Sequence, residues 1–280
     1  MTLINGDAAS ELAADDRGLA YGDGVFETIA IVAGEPALWP AHYERLASGC
    51  RLLGFTPPTA TCLYAEVRRV AGVGSGVVRI TITRGSGGRG YRAPGAPEPR
   101  RIVTASPLPD YPIGHWQDGI AVRLCSTRLP YRPALAGHKH LNRLEQVLAR
   151  SEWDDPAIPE GLMATPDDSA IAEGTMTNLF ARFGDDLVTP PIRDYGVEGV
   201  MRGHIRAERE RVGRTLREAP LALDDLVRAD EVFVTNSLIG LWPVRDLAGK
   251  AVWEDWPWCR EMLARLTGAA VMVDWLGERR

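Results

Sequence analysis

The sequence predicts a two-domain protein of α+β or mixed α/β class. Three observations carry that reading. The chain has 280 residues, and at roughly 150 residues per domain such a length divides in two. Strand-like alternation and helical spacing occur in both halves, without the strict βαβ alternation of a doubly wound sheet. The stretch PLPDYPIGHWQDG at 107–119 holds three prolines and two glycines, which is linker chemistry. The expected domains are 1–112 and 119–280.

In chain order, LINGD is a short apolar run ending in a turn. VFETIAIVAGEPALW reads as two strands meeting at Gly34-Glu35, a hairpin signal. From His42, the spacing of Leu46, Leu52 and Leu53 predicts a helix stopping near Gly54, and Leu63 to Val70 a second one closed by Gly72. GVVRITITRG alternates as a strand and runs into GSGGRG, and RRIVTAS is the next strand. After the linker, IAVRLCS is a strand, and His140 to Arg150 is a helix with Leu141, Leu144, Val147 and Leu148 on one face. NLFARFGDDLVTP is a hairpin turning at Gly184-Asp185. Val200 to Val212 is a charged helix, followed by the strand EVFVTNS and a C-terminal helix near Cys259–Leu266.

Composition narrows the function. The net charge is −5 (32 basic against 37 acidic residues), which argues against a nucleic-acid partner. No apolar run reaches the ~18 residues of a membrane span, and MTLINGDAASELAADD has no signal-peptide pattern. Cys50, Cys62, Cys125 and Cys259 form no CxxC pair. They read as thiols of a reducing compartment, so a cytoplasmic address is expected. Among the 32 basic residues only Lys139 and Lys250 are lysine. Arginine binds carboxylate and phosphate but cannot shed its proton to form a Schiff base, so amine chemistry has two candidates here.

GSGGRG at 85–90 follows a strand, but no GK[ST] comes next and YRAPGAP cannot open a helix. A nucleotide P-loop is rejected; the alternatives are a plain glycine loop or one whose arginines (Arg84, Arg89, Arg92) close over an anion. HKH at 138–140 lacks the ligand spacing of a metal site, and no metal is expected. Lys139 after the turn Ala136-Gly137 can aim its amine inward. The stretch EGTMTNLFARFGDDLVTPPIRDYGVEGVMR, from Glu173 to Arg202, adds a carboxylate and a glycine-led helix start. Such a start exposes unpaired N–H groups and seats a phosphate, and a carboxylate keeps a pyridine nitrogen protonated. One lysine, one acid and one phosphate seat specify pyridoxal phosphate.

The stretch from Glu173 to Arg202 resembles the signature of the class IV aminotransferases, the fold-type IV pyridoxal-phosphate enzymes. DRGLAYGDGVFET at 16–28 and AHYERL at 41–46 share the resemblance, which covers essentially the whole chain. TRGSGGRGY and LAGHKHLNRLEQVLAR look like the lyase members of the family, more than its branched-chain or D-amino acid aminotransferases. The resemblance implies a second domain that binds the cofactor. It makes Lys139 the Schiff-base residue, Arg45 in the His42–Leu46 motif a grip on the phosphate, and Glu173 the partner of the pyridine nitrogen. Val200 and Met201 would offer backbone N–H groups to the phosphate, with Asn236 and Ser237 on its other side. Tyr21, Phe26 and Thr28 would lie on a strand lining the substrate side. Lys250 matches no motif.

The implied reaction is an elimination: an amino-substituted ring loses its enolpyruvyl group as pyruvate and becomes p-aminobenzoate, a step of folate synthesis. An anionic small-molecule substrate suits Arg84 or Arg89 as carboxylate receivers. The rival readings are an aminotransferase of the same fold and a catalytically silent binding protein, the latter disfavoured because lysine and acid are both present. The resemblance further implies a homodimer with the site near the domain boundary.

Overall fold

The computed structural model describes residues 1–211 and 216–268. The chain forms two compact units: Met1–Pro109 with His138–Asn142, and Asp110–Gly137 with the residues from Arg143 onward. The change at Pro109 falls inside the stretch 107–119. The short segment 138–142, by contrast, packs with the first unit.

In the first unit the strands are β1 (Thr2–Ile4), β2 (Asp7–Ala8), β3 (Gly24–Val32), β4 (Glu35–Pro36), β5 (Gly76–Thr83) and β6 (Arg100–Ser106). Among the described residues they make a six-stranded antiparallel sheet in the order β2-β1-β6-β5-β3-β4. The helices are α1 (Arg17–Tyr21), α2 (Trp39–Leu52) and α3 (Ala60–Ala71). Val25, Ile29, Ile31, Val78, Ile80 and Ile82 project from one sheet face into a core with Leu46, Cys50, Leu63 and Val67 of α2 and α3. Alternation puts Phe26, Thr28, Arg79 and Thr81 on the other face.

The β3–β4 hairpin turns at Ala33 and Gly34, with φ of 48° and 79°, the two positive values of a type I′ turn. Its second strand is short because Leu38 (φ 51°) turns the chain into α2, whose first turn holds Pro40. α3 starts at a Thr59 side-chain cap to the Cys62 N–H.

The second unit contains α4 (Gly114–Gln117), β7 (Ile120–Leu124), α5 (Leu144–Arg150), β8 (Glu160–Ala164), β9 (Ile171–Gly174), β10 (Asn178–Phe183), β11 (Asp186–Thr189), α6 (Val200–Arg211), β12 (Leu216–Glu218), α7 (Leu223–Arg228), β13 (Glu231–Asn236), β14 (Gly240–Leu247), β15 (Ala251–Val252) and α8 (Pro257–Gly268). Among the described residues its nine strands run β12-β11-β10-β13-β14-β7-β8-β9, with β15 on β14. The pairs β14–β7, β7–β8 and β11–β12 are parallel. Phe180 and Phe233 stack at 4.9 Å in the core of this sheet, and Trp258 of α8 stacks on Phe233 at 5.0 Å.

The helix expected from His140 begins only at Leu144. Residues 139–141 instead pair with the N-terminal half of β3, which β4 leaves uncovered: Phe26 N–H donates to Lys139 O and Leu141 N–H to Gly24 O. Sheet hydrogen bonding wins over helical periodicity there. Of the apolar face read on that helix, Leu144, Val147 and Leu148 are exposed, at 73%, 57% and 62%. The expected helix end at Val212 lies outside the described residues. Among these residues no helix is long and apolar enough to cross a membrane.

Candidate active site

The first unit carries the lysine. The edge pairing with β3 fixes the Lys139 backbone, and Asn142 Nδ2 donates to Gly22 O at 3.1 Å to pin the segment's end. Lys139 is half-buried, and its Nζ stands 4.5 Å from the centre of the Phe26 ring. The same ring carries the Arg79 guanidinium at 4.0 Å. A cation over an aromatic face is attracted by the ring's quadrupole, so Phe26 seats two positive groups.

On the opposite face of β3, Glu27 is 1% exposed. Its carboxylate accepts two bonds from Arg45, Nε at 2.7 Å and Nη2 at 2.6 Å, and lies 2.7 Å from His42 Nδ1. Burial pushes the Glu27 carboxyl upward, but the Arg45 charge and the bonds from Arg45 and His42 prevail and hold it at about 2. His42 is held below its ordinary value by burial against the pull of Glu27, with the charges of Arg45 and Lys139 adding to the depression. Arg45 thus turns one edge of its fork toward Glu27.

Beside this group, Asp16 caps α1 through Gly18 N–H at 2.8 Å and accepts from the Thr83 hydroxyl at 2.9 Å. Arg17 reaches from α1 to Asp23 Oδ2 at 2.9 Å and donates to the carbonyls of Gly90 and Tyr91 at 3.1 and 3.2 Å. The glycine loop is therefore fastened at its far end by a buried guanidinium. Arg84 is buried with its fork on Asp23, at 2.7 and 3.0 Å, and on Leu53 O at 2.5 Å. Burial raises the Asp23 carboxyl, and the two arginines bring it below its ordinary value. Arg89 is exposed. Tyr21 closes α1 instead of lying on a strand, with the Arg17 guanidinium 4.8 Å over its ring. Phe26 and Thr28 do share one face of β3, Phe26 buried and Thr28 half-buried.

The second unit carries the acid. Glu173, 4% exposed on β9, accepts from Val197 N–H at 2.9 Å through Oε2, with Asn178 Nδ2 at 3.4 Å from the same oxygen. That amide also donates to Val197 O at 2.9 Å. Gly196 is required at this contact: its φ is 72°, and a Cβ there would sit 2.5 Å from Glu173 Oε2. Any side chain on Gly199 would strike the Asn178 amide oxygen. From there α6 opens at Val200 and Met201, both with buried side chains, and its first N–H groups have no acceptor within the helix. Asn236 ends β13 with Oδ1 accepting from Leu238 and Ile239 N–H at 2.8 and 3.0 Å, and donates through Nδ2 to Met176 O at 3.3 Å. Its side chain is engaged in the turn, while Ser237 beside it is half-buried.

Lys139, Phe26, Glu27, His42 and Arg45 form one cluster, and Glu173, Asn178, Gly196 and the α6 start form another. Sequence reading missed Arg79 and Glu27, and gave Asn178, which stands in the stretch from Glu173 to Arg202, no role of its own. The signal for Arg79 was present: in GVVRITIT it is the charged residue facing away from the apolar alternation of Val78, Ile80 and Ile82. The chemistry of the donors fits pyridoxal phosphate: in the first unit a half-buried amine, and in the second an acid held in place by an amide and a main-chain N–H, with a helix start whose first N–H groups have no acceptor within the helix.

A family model described as amino-transferase class IV matches residues 24–247. An aminodeoxychorismate lyase from Vibrio harveyi is 34% identical over 258 residues, 92% of this chain and 95% of that protein. A D-alanine aminotransferase from Staphylococcus aureus is 26% identical over 258 residues, covering 89% of this chain and 90% of its own. The crystal structure of 4-amino-4-deoxychorismate lyase from Pseudomonas aeruginosa superposes with a TM-score of 0.91 at 43% identity, covering 96% of this chain and 98% of the other. A hypothetical aminotransferase from Mycobacterium tuberculosis that shares the fold, solved in a PLP-bound form, superposes with a TM-score of 0.82 at 22% identity, covering 98% of this chain and 99% of the other. With the family pattern running from β3 to the end of β14 and both clusters lying inside that range, this chain belongs to the class IV aminotransferases and has their fold-type IV architecture.

Proposed function

We propose that this protein is a pyridoxal-phosphate-dependent lyase converting 4-amino-4-deoxychorismate to p-aminobenzoate and pyruvate. The observation that carries the reading is the likeness, end to end, to two lyases of that activity. Bound pyridoxal phosphate would supply an aldehyde for the substrate amine and a ring that takes up negative charge.

Lys139 would hold the group covalently in the resting enzyme, and its Nζ as a free amine is the base that takes the proton from the amine-bearing ring carbon of the substrate. Breaking the carbon–oxygen bond then sends the enolpyruvyl group away with its electron pair, as pyruvate after protonation, and leaves an aromatic ring. Glu173 holds the proton on the pyridine nitrogen, and its bonds to Val197 and Asn178 fix it for that task. The N–H groups of Val200 and Met201, the Asn236-Ser237 turn and Arg45 receive the phosphate.

The substrate carries two carboxylates. Arg84 is a poor receiver, since Asp23 and Leu53 already fill its fork. Arg79 suits the task better, because among the described residues it forms no ion pair and shares the Phe26 ring with Lys139. Arg89, exposed on the glycine loop, is the candidate for the second carboxylate. The protein is further proposed to work in the cytoplasm as a homodimer, with the apolar stripe of α5 covered by the second copy; light scattering at assay concentration tests the latter.

The deciding experiment supplies 4-amino-4-deoxychorismate and follows p-aminobenzoate and pyruvate, with amino acid plus 2-oxo acid as the parallel assay. Elimination without transamination is expected. Transamination of branched-chain or D-amino acids without p-aminobenzoate assigns the protein to the rival activity, which uses the same lysine and acid.

A further inference from the structure

We propose that Glu160 is a positioning residue: its buried carboxylate fixes the turn that carries Glu173 and Asn178. The proposal rests on the reading of Glu173 as partner of the pyridine nitrogen. Glu160 opens β8 and is 0% exposed. Among the described residues it forms no ion pair. Instead it collects five neutral donors. Oε1 accepts from Gly161 N–H at 2.8 Å, Thr175 N–H at 3.0 Å and the Thr175 hydroxyl at 2.6 Å. Oε2 accepts from the Thr177 hydroxyl at 2.8 Å and Met176 N–H at 3.2 Å.

Four of the five donors belong to the three residues between β9 and β10. That turn leaves β9 at Gly174, the residue after Glu173, and enters β10 at Asn178, the residue whose amide reaches both Glu173 and Val197 O. Glu160 also dictates the turn's geometry: a Cβ on Gly174 would lie 2.8 Å from Glu160 Oε2. From the other side Asn236 Nδ2 binds Met176 O, so the central residue, Met176, is held at both its N–H and its C=O. A buried carboxylate without a cation is costly, and here three donors meet Oε1 and two meet Oε2 of an acceptor-only group. The arrangement is that of an anchor placed behind the acid, supporting the orientation of a group that touches the cofactor.

Glutamine keeps the shape of Glu160 but turns an NH2 toward at least one main-chain N–H that cannot reverse its role. The test measures the dissociation constant of pyridoxal phosphate and the pH profile of its bound absorbance, beside the melting temperature of the apoprotein. Glu160→Gln is expected to weaken cofactor binding about tenfold, the loss of one or two such bonds, and to displace the absorbance profile in the direction that Glu173→Gln displaces it. Thr177→Val is expected to do the same more weakly, and Thr177→Ser to restore wild-type behaviour. If Glu160→Gln does not fold, the two Thr177 variants decide.

A lowered melting temperature with unchanged affinity and absorbance overturns the positioning role while leaving Glu173 intact. If Glu173→Gln itself leaves the absorbance profile unchanged, or the wild-type protein binds no pyridoxal phosphate, the reading beneath the proposal falls, and the proposal with it.

Discussion

Glu27 in the first unit and Glu160 in the second are both carboxylates sealed from water, and they are held by opposite means. Glu27 is matched by charge, with the Arg45 fork on both its oxygens and His42 on one. Glu160 is matched by dipoles alone, three main-chain N–H groups and two hydroxyls. The consequence is a carboxyl driven down to about 2 in the first case and one that burial raises in the second. The lysine cluster is thus a field of fixed charges, Arg45 and Arg79 among them, around an amine. The acid cluster is a scaffold of main-chain groups and glycines around a glutamate. Charge sets the ionisation of neighbours over several ångströms; dipoles and hydrogen bonds set geometry at contact.

The largest break of this comparison separates a covalent role from a geometric one. Lys139→Ala is expected to abolish the covalent link to the cofactor and lower p-aminobenzoate production on the order of 10⁴-fold. Borohydride reduction followed by mass spectrometry should find no label on the chain. Glu173→Gln should keep the label and change the absorbance. If both variants keep the label, the lysine cluster does not hold the covalent bond.

Next in size is the pH dependence of stability. Glu27 is depressed from its ordinary 4.5 to about 2, so the stability it contributes is present above pH 4.5 and lost as pH falls toward 2. That contribution is about 3 kcal/mol. Glu160 is raised, so the folded protein binds its proton more tightly than the unfolded chain, and its term turns unfavourable as pH rises past 4.5. Urea unfolding between pH 3 and 7 should show Glu27→Gln flattening the acid limb. Glu160→Gln should remove a term of opposite slope. Flattening of the same limb by both would end the contrast between charge and dipole.

Arginines provide a third test. Arg84→Ala removes the fork on Asp23 and is expected to cost about 2 kcal/mol of stability. Arg79→Ala breaks no ion pair and should leave unfolding unchanged while raising KM about tenfold, the equivalent of one carboxylate contact. A KM effect at Arg84 with none at Arg79 would reverse the assignment of the two.

The chemistry was more legible in the sequence than its supports. Lys139, Glu173 and the Gly199 helix start are adjacent to local signals, a turn and a motif, that a single sequence displays. The register of 138–142 was not legible, because its helical spacing is genuine and only the uncovered edge of β3 overrides it. β14 escaped because Pro243 interrupts its pattern, although Pro243 sits opposite Phe233 in the sheet. β8 and β9 are runs of five and four residues, too short for a period to emerge. Glu160 and Glu27 were hidden for a different reason. A buried carboxylate looks like any surface acid until the donors that lie 15 to 18 residues away are brought to it by the fold.

The smallest expected effect uses the other lysine. Each unit carries one: Lys139 in the first, and Lys250 in the second, exposed in the turn from β14 to β15. Lys250 N–H closes that turn on Leu247 O at 2.8 Å, a main-chain bond that any residue but proline makes. Lys250→Ala should therefore change stability by less than about 0.5 kcal/mol and leave the cofactor's absorbance, its covalent label and the rate of p-aminobenzoate release as in the wild type. Because thirty of the 32 basic residues are arginine, no third lysine exists to take over. Loss of the label in Lys250→Ala, with retention in Lys139→Ala, would move the reactive amine into the unit that holds the acid and undo the division of labour between the two clusters.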